Sequence, residues 1–279
     1  MLDTSNRAAL IALLDFYVEA GVDLALDEEP RDRLAETAPT PEPGALRQTE
    51  TRVPIADRGT GAQPPVQRIA AKAPPLSTED AAHAAREQAK NAQSLDELEA
   101  LLATFEGCGL RVTAKNLVFA DGNPGSRVMF VGEAPGGDED RIGKPFVGRS
   151  GQLLDLMLAA IGLERSQVYI ANVVPWRPPG NRTPTPQEIA VCRPFIEKQI
   201  ELADPDILVC LGGPSAQTLL NVKDGILKTR GRWLSYQTGR REIRALATLH
   251  PAYLLRQPLQ KRLAWRDFRA LKRALQTPT

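Results

Sequence analysis

Cysteine is scarce in this chain of 279 residues, and the three present, Cys108, Cys192 and Cys210, have no paired spacing. A disulfide framework is therefore excluded, and a reducing compartment is indicated. No apolar run approaches the roughly 18–20 residues that a membrane span requires. The first apolar stretch is interrupted by Asp15 and Glu19, which makes it a poor secretion signal. We expect a protein of the bacterial cytosol or nucleoid with no membrane partner.

Aromatic residues are also scarce, and none occurs from Val18 to Thr104. Nine prolines fall between Pro30 and Pro75 without any sustained apolar period. Such a segment cannot bury enough apolar surface to offset its chain entropy. We therefore predict an N-terminal helix within residues 1–29, a disordered proline-rich linker at 30–76, a helical lead-in at 77–104 and a compact domain at 105–279.

Excess charge of either sign is absent overall, because the formal net charge is only +1. The two parts of the chain nevertheless differ. Residues 1–100 hold 10 basic and 18 acidic side chains, whereas residues 101–279 hold 25 basic and 16 acidic ones. The compact domain is thus basic, which suits a polyanionic partner such as nucleic acid or simply a solvated basic face.

Short apolar runs alternate with segments of helical period in the second half of the chain. This alternation favours a parallel sheet with helices on both faces. We predict a three-layer α/β/α fold with a mainly parallel four-stranded sheet. The predicted strands are 127–131, 168–173, 207–211 and 245–248. The predicted helices are 78–91, 95–104, 151–161, 186–203, 214–220 and 258–275.

Ligands of parallel α/β sheets bind at the carboxyl ends of the strands, so the loops that follow them are candidate sites. The loop after the first strand is rich in glycine and in carboxylates. The carboxylates would repel a phosphate unless metal ions lay between them. Asn172 ends the second strand and His250 follows the fourth. Taken singly, an Asn at a strand end such as Asn172 is more often a turn former than a ligand, and a lone His such as His250 is as often structural as catalytic.

Together the loops form a more specific pattern. The motifs GEAPG and PFVG, then NVVPWRPPGNRTPT, then HPAYLLR occur in this order on an alternating α/β chain. They resemble the uracil-DNA glycosylase superfamily and are most similar to its family 4, the iron–sulfur type. The resemblance covers about residues 105–275 and leaves residues 1–100 outside.

The resemblance implies roles for the strand-end residues. Phe146 stacks on an extruded uracil, Asn172 reads its edge and His250 donates a hydrogen bond to O2 of the leaving base. A carboxylate, Glu133 or Glu139, orients the attacking water. Backbone groups of the first loop complete the uracil site, which adds Gly132 and Ala134. A core aromatic that anchors its loop is the other interpretation of Phe146.

The same resemblance predicts DNA contacts from three loops. After the histidine, Leu254 or Leu255 replaces the extruded base in the stack, and Arg256 holds phosphate or the orphan base. An ordinary helix start that packs its leucines is the alternative. The remaining predicted DNA contacts are Arg177, Arg182 and Ser215.

Two of the four cysteines that family 4 uses for its four-iron cluster are missing. Cys108 and Cys192 occupy two of the family's positions, while Phe105 and Trp176 stand at the other two. Two thiolates cannot hold a cubane cluster. We therefore expect a cluster-free branch with no metal or organic cofactor, and we interpret Cys210 as a small core residue.

The sequence thus predicts a monofunctional, monomeric uracil-DNA glycosylase of base excision repair. It hydrolyses the N-glycosidic bond of uracil in DNA and leaves an abasic site. One alternative is a damage-binding protein that holds uracil or abasic DNA with little turnover. Another is a Mg²⁺-dependent phosphate enzyme, but the chain lacks a Walker lysine.

Overall fold

The computed structural model describes residues 78–276. The predicted helix within residues 1–29 and the predicted linker at 30–76 lie outside the described residues. Within residues 78–276, no helix combines the length and the apolar content that crossing a membrane requires.

A single mixed sheet lies at the centre of the described chain. Its strands are β1 (Asp121–Gly122), β2 (Val128–Gly132), β3 (Tyr169–Asn172), β4 (Ile207–Leu211), β5 (Trp233–Gln237) and β6 (Glu242–Thr248). Their order is β1-β3-β2-β4-β6-β5. The four inner strands run parallel, whereas β1 and β5 join the edges in antiparallel orientation. The four predicted strands are confirmed, and the expectation of only four strands missed the two at the edges.

The described helices connect and cover these strands. They are α1 (Thr78–Asn91), α2 (Leu95–Thr104), α3 (Leu110–Thr113), α4 (Gly137–Ile142), α5 (Arg149–Ala160), α6 (Pro186–Ala203), α7 (Gly213–Leu220), α8 (Ile226–Thr229), α9 (Pro251–Arg256) and α10 (Lys261–Gln276). Short 3₁₀ turns occupy Arg165–Gln167, Pro179–Asn181 and Pro258–Gln260. Each helix predicted at 78 or beyond is present to within a few residues.

The sheet buries both of its faces, as the three-layer prediction requires. Alternate residues of β2 point to opposite sides, with Met129 in one core cluster and Phe130 in the other. Helices α1, α2, α6 and α7 cover the first face, while α5 and α10 cover the second. Leu98 and Leu102 of α2 belong to the first core cluster, so the lead-in helices share one core with the domain they precede.

Local sequence signals explain where the main connections begin and end. Helix α6 starts with a reciprocal capping box, in which Glu188 N donates to Thr185 Oγ1 and Thr185 N donates to Glu188 Oε2. At α2 the cap is one-way: Glu97 N donates to Ser94 Oγ. These caps place the βα loops at one edge of the sheet, where the carboxyl ends of the parallel strands meet.

Candidate active site

A cavity of about 530 Å³ opens at the carboxyl edge of the parallel strands. It collects residues that lie far apart in the sequence, from the loops after β2, β3, β4 and β6. Eight of the predicted site residues line it: Glu133, Ala134, Glu139, Phe146, Asn172, Arg182, His250 and Arg256. The shared edge of the sheet therefore brings the predicted residues into one site.

Asn172 is the last residue of β3 and pairs in register with Gly132 at the end of β2. Its side chain is buried, and Oδ1 has no hydrogen-bond partner within the described residues. A Cβ at position 132 would lie 2.4 Å from Asn172 Oδ1 and 2.7 Å from Phe146 Cζ. Glycine at 132 therefore allows the amide and the aromatic ring to sit against the strand end. An unpaired buried acceptor is costly and indicates a ligand donor.

Phe146 and His250 form the ring-lined part of the cavity. Their ring centroids are 5.5 Å apart with an interplanar angle of 31°. Phe146 is buried although it lies in a loop, and its backbone adopts the left-handed region with φ +53°. A non-glycine residue in this region is uncommon and points to a functional constraint.

His250 caps the N-terminus of α9, and its Nδ1 accepts a hydrogen bond from Ala252 N at 3.1 Å. Burial lowers the pKa of His250 from 6.5 to about 4, and the charge of Arg256 adds to this effect. The ring is thus neutral at pH 7. Because Nδ1 acts as an acceptor, the neutral ring carries its proton on Nε2 and can donate from there.

Gly212 explains why a glycine pair follows β4. Its φ is +98°, and a Cβ there would lie 3.1 Å from Cβ of His250. A side-chain-free, left-handed position at the start of α7 lets His250 approach the strand end.

Two acidic side chains of the first loop, the buried Glu139 and the half-buried Glu133, have different surroundings. Glu139 Oε1 accepts from Val147 N and Gly148 N, and Oε2 accepts from Gly136 N. Its carboxylate therefore ties the loop together. Burial raises the pKa of Glu133 above its ordinary value, and a hydrogen bond with Thr183 only partly opposes the shift. The side chain of Glu133 lines the cavity.

The predicted DNA-binding arginines lie around the cavity in different states. Arg182 lines the cavity and is paired with Glu188 through both terminal nitrogens, at 2.9 and 2.7 Å. Arg177 donates to Asn181 Oδ1 at 2.7 Å and sits beside the cavity lining. Arg256 lines the cavity and is exposed.

Two of the predicted DNA contacts are buried in the structure. Ser215 is fully buried, and its hydroxyl donates to Val131 O at 2.7 Å, so it joins α7 to β2. Leu254 is 1% exposed and packs in a cluster with Leu249 and Ala264. Leu255 is 37% exposed and is the leucine of this pair that faces solvent.

Several lining residues were not expected from the sequence, among them Ser150, Thr183, Ile226 and Tyr253. Thr183 lies within the NVVPWRPPGNRTPT motif, which could have identified it. Ile226 starts the short helix α8, and no local pattern marks it as part of a site.

Cys108 and Cys192 converge, with their sulfur atoms 3.9 Å apart, and both are buried. Cys210 lies within β4 and is also buried. Phe105 and Trp176 belong to the same apolar cluster as Cys108 and Cys192. Among residues 78–276, no group of three or more His, Cys, Asp or Glu side chains is arranged to hold a metal ion.

Fold and site together define a class of protein. A mixed sheet within a three-layer fold presents, at the carboxyl ends of its parallel strands, a pocket with a neutral histidine, an aromatic ring and an amide oxygen that has no partner among residues 78–276. Such a pocket suits an uncharged, flat heterocycle with a donor on its edge.

Comparison with known proteins agrees with this class. The profile of the Uracil DNA glycosylase superfamily matches residues 119–269. The chain belongs to the uracil-DNA glycosylase superfamily.

Three of the relatives that the chain resembles are Type-4 uracil-DNA glycosylases. The Type-4 uracil-DNA glycosylase of Archaeoglobus fulgidus is 39% identical over 183 residues, which cover 64% of this chain and 92% of the relative. That of Thermotoga maritima is 45% identical over 150 residues, or 53% of this chain and 77% of the relative. That of Sulfurisphaera tokodaii is 38% identical over 190 residues, or 66% and 86%.

Proposed function

We propose that this protein is a uracil-DNA glycosylase that releases uracil from DNA by hydrolysis and leaves an abasic site. The observation that carries the proposal is the unpaired Oδ1 of Asn172 in the cavity. Oδ1 accepts from N3–H of uracil while the amide nitrogen donates to O4. Cytosine has an acceptor at N3 and an amino group at C4, so the same amide leaves both of its own groups unpaired.

The leaving group is stabilised by His250. As the N-glycosidic bond breaks, negative charge gathers on uracil and positive charge on the sugar. Nε2–H of neutral His250 donates to O2 of the departing uracil anion, a hydrogen bond that strengthens as the charge develops. The ring needs no positive charge for this role, which fits its pKa of about 4.

The cationic sugar and the attacking water are served by Glu133. Its ionised carboxylate faces the cavity and has a raised pKa because of burial. A carboxylate in such surroundings stabilises the oxocarbenium-like sugar and holds the water as a base. We assign Glu139 to shaping the loop, since three backbone N–H groups occupy its oxygens.

The test is release of free uracil from a labelled duplex with a single uracil, with and without EDTA. The matched controls carry cytosine or thymine at the same position. We expect release from the uracil duplex alone and no effect of EDTA. Tight binding of the uracil duplex without release would instead identify a damage-binding protein, and release that needs a divalent metal would overturn the mechanism.

We propose further that the enzyme works without an iron–sulfur cluster, as a monomer in the cytosol. A cubane cluster needs four ligands, and the chain has three cysteines in all. Only Cys108 and Cys192 approach each other, while the buried rings of Phe105 and Trp176 share their apolar cluster. Iron analysis of the purified protein tests this: stoichiometric iron would overturn it, and a Phe105→Cys, Trp176→Cys double variant serves as the contrast.

A further inference from the structure

The backbone of Phe146 requires support from outside its own loop. Phe146 has φ +53°, a region in which the Cβ of an L residue crowds the backbone. Its ring nevertheless lies against the ends of β2 and β3, close to Gly132 and His250. A strained backbone of this kind persists only where neighbouring groups determine it.

Arg165 supplies that support. It lies in the 3₁₀ turn that precedes β3, 19 residues beyond Phe146. Its Nη1 donates to Phe146 O at 2.9 Å, and its Nη2 donates to Pro145 O. One planar guanidinium thus holds the carbonyl groups of two consecutive residues, which fixes the peptide that leads into the left-handed position.

Two carboxylates hold the guanidinium in turn. Arg165 Nε is 2.5 Å from Asp121 Oδ2 at β1, and Nη1 is 2.9 Å from Asp155 Oδ1 on α5. The Arg165 side chain is 23% exposed and that of Asp121 is 17% exposed, so solvent screens this network only in part. Gly151 leaves room for the carbonyl group of Phe146, because a Cβ at position 151 would lie 1.7 Å from Phe146 O.

None of these charged groups lines the cavity that holds Asn172, Phe146 and His250. We propose that Arg165, fixed by Asp121 and Asp155, is a positioning residue that holds the Phe146 ring in the orientation required to stack on uracil. The inference rests on the proposed function, because the ring has a ligand to stack on only if the cavity binds the base. Arg165 acts through Phe146 and touches no substrate.

The test compares inhibition by free uracil and steady-state constants on a uracil-containing oligonucleotide. A preformed stacking surface stabilises bound uracil before and during bond cleavage, so its loss raises KM and weakens uracil inhibition more than it lowers kcat. We expect Arg165→Gln to weaken uracil inhibition about tenfold, within the range found for loss of base stacking. A merely structural role would lower the active fraction and leave the inhibition constant unchanged.

Arg127→Gln is the matched control. Arg127 also joins a carboxylate, Asp206 Oδ2 at 2.7 Å, to a backbone carbonyl, Leu275 O at 2.9 Å. It precedes β2 and thus lies at the opposite edge of the sheet from the cavity. We expect this variant to lose thermal stability without any change in uracil inhibition.

A double-mutant cycle with Phe146→Ala decides whether Arg165 acts through the ring. In that background, Arg165→Gln should change uracil inhibition by less than about twofold, since coupled residues are non-additive. Full additivity of the two losses would overturn the inference. If Arg165→Gln does not fold, Asp155→Asn replaces it; a smaller weakening of inhibition supports the inference and an unchanged constant overturns it.

The same measurements separate this inference from the function on which it rests. A wild-type protein that fails to release uracil from DNA overturns both. A wild-type protein that releases uracil, together with an Arg165→Gln variant that is inhibited by uracil as strongly as wild type, overturns the positioning role alone.

Discussion

At the scale of single residues, the site contains one group without a hydrogen-bond partner and one without charge among residues 78–276. Asn172 keeps a buried amide oxygen without a donor, and His250 is held neutral by burial. The unpaired acceptor costs stability unless a ligand supplies a donor. The unpaired amide oxygen of Asn172 and the neutral ring of His250 both suit an uncharged base with polar edges.

Asn172→Asp should lose uracil release by about 10²-fold or more, since a site built to hydrogen-bond its substrate rejects a mismatched group strongly. A carboxylate cannot donate to O4, and its charge opposes the uracil anion. Single-turnover release from a uracil duplex measures the effect. Asn221→Asp is the control, because Asn221 lies outside the cavity in a left-handed helix cap that aspartate tolerates. Unchanged release by Asn172→Asp would reject the assigned role.

The pH dependence of release should report Glu133 before His250. Glu133 acts as a carboxylate with a raised pKa, so activity falls as the pH drops through that raised value. His250 acts as a neutral ring, and its pKa of about 4 is reached only at lower pH. Glu133→Gln should therefore reduce the rate by on the order of 10²–10³ and move the remaining acid limb toward the pKa of His250. Rate profiles across the acid range measure this, with Glu242→Gln at the exposed start of β6 as control. An acid limb that stays in place would contradict the prediction.

At the scale of elements, the short helix α9 has one buried face and one exposed face. His250 caps its N-terminus, Leu254 is buried against α5 and α10, and Leu255 and Arg256 are exposed. The buried face of the helix thus fixes the position of His250. We propose that its exposed face meets the DNA helix beside the extruded base.

The adjacent leucines of α9 provide a matched pair of variants. Leu255→Ala should slow release from duplex DNA more than from single strands, because only a duplex requires a side chain to fill the gap in the stack. Leu254→Ala should instead reduce the free energy of unfolding by about 2–5 kcal/mol and affect both substrates alike. Thermal melting and parallel rates on the two substrates distinguish them. Equal effects of both variants on duplex and single strand would show that Leu255 does not act as a wedge.

At the scale of the whole molecule, the two parts of the chain differ in the sign of their net charge. Residues Ile69–Thr279 form a compact unit of their own. Residues 1–68 carry 12 acidic and 7 basic side chains, opposite in sign to the basic domain. We propose that this segment, which contains the predicted helix within residues 1–29 and most of the predicted linker at 30–76, does not contribute to catalysis.

Deleting residues 1–68 should leave the rate of uracil release close to that of the full chain. Removal of negative charge should tighten DNA binding at low salt, and the gain should fade as salt screens it. Release assays and DNA affinities at two salt concentrations measure both effects. A truncated protein that unfolds or loses activity would show that the segment supports the domain.

The order of strands and helices was predictable because each follows from a local period. So was the gathering of Glu133, Phe146, Asn172 and His250, since the carboxyl ends of parallel strands share one edge. Edge strand β5 was missed because it lies in a hairpin with few buried positions, WLSYQ, where only Tyr236 is buried. The sequence by itself also determined that four cluster cysteines are not available.

Only the tertiary structure decided which of two similar neighbours does what. Leu254 and Leu255 differ because one face of α9 meets α5 and α10. The side chain of Ser215 is buried, and its hydroxyl donates to the carbonyl oxygen of Val131. The carbonyl of Phe146, whose backbone is left-handed, accepts from Arg165, 19 residues away in the sequence, and lies where Gly151 has no Cβ. Sequence patterns determine local conformation and the strand ends, whereas orientation and strain depend on which surfaces the packed elements bring together.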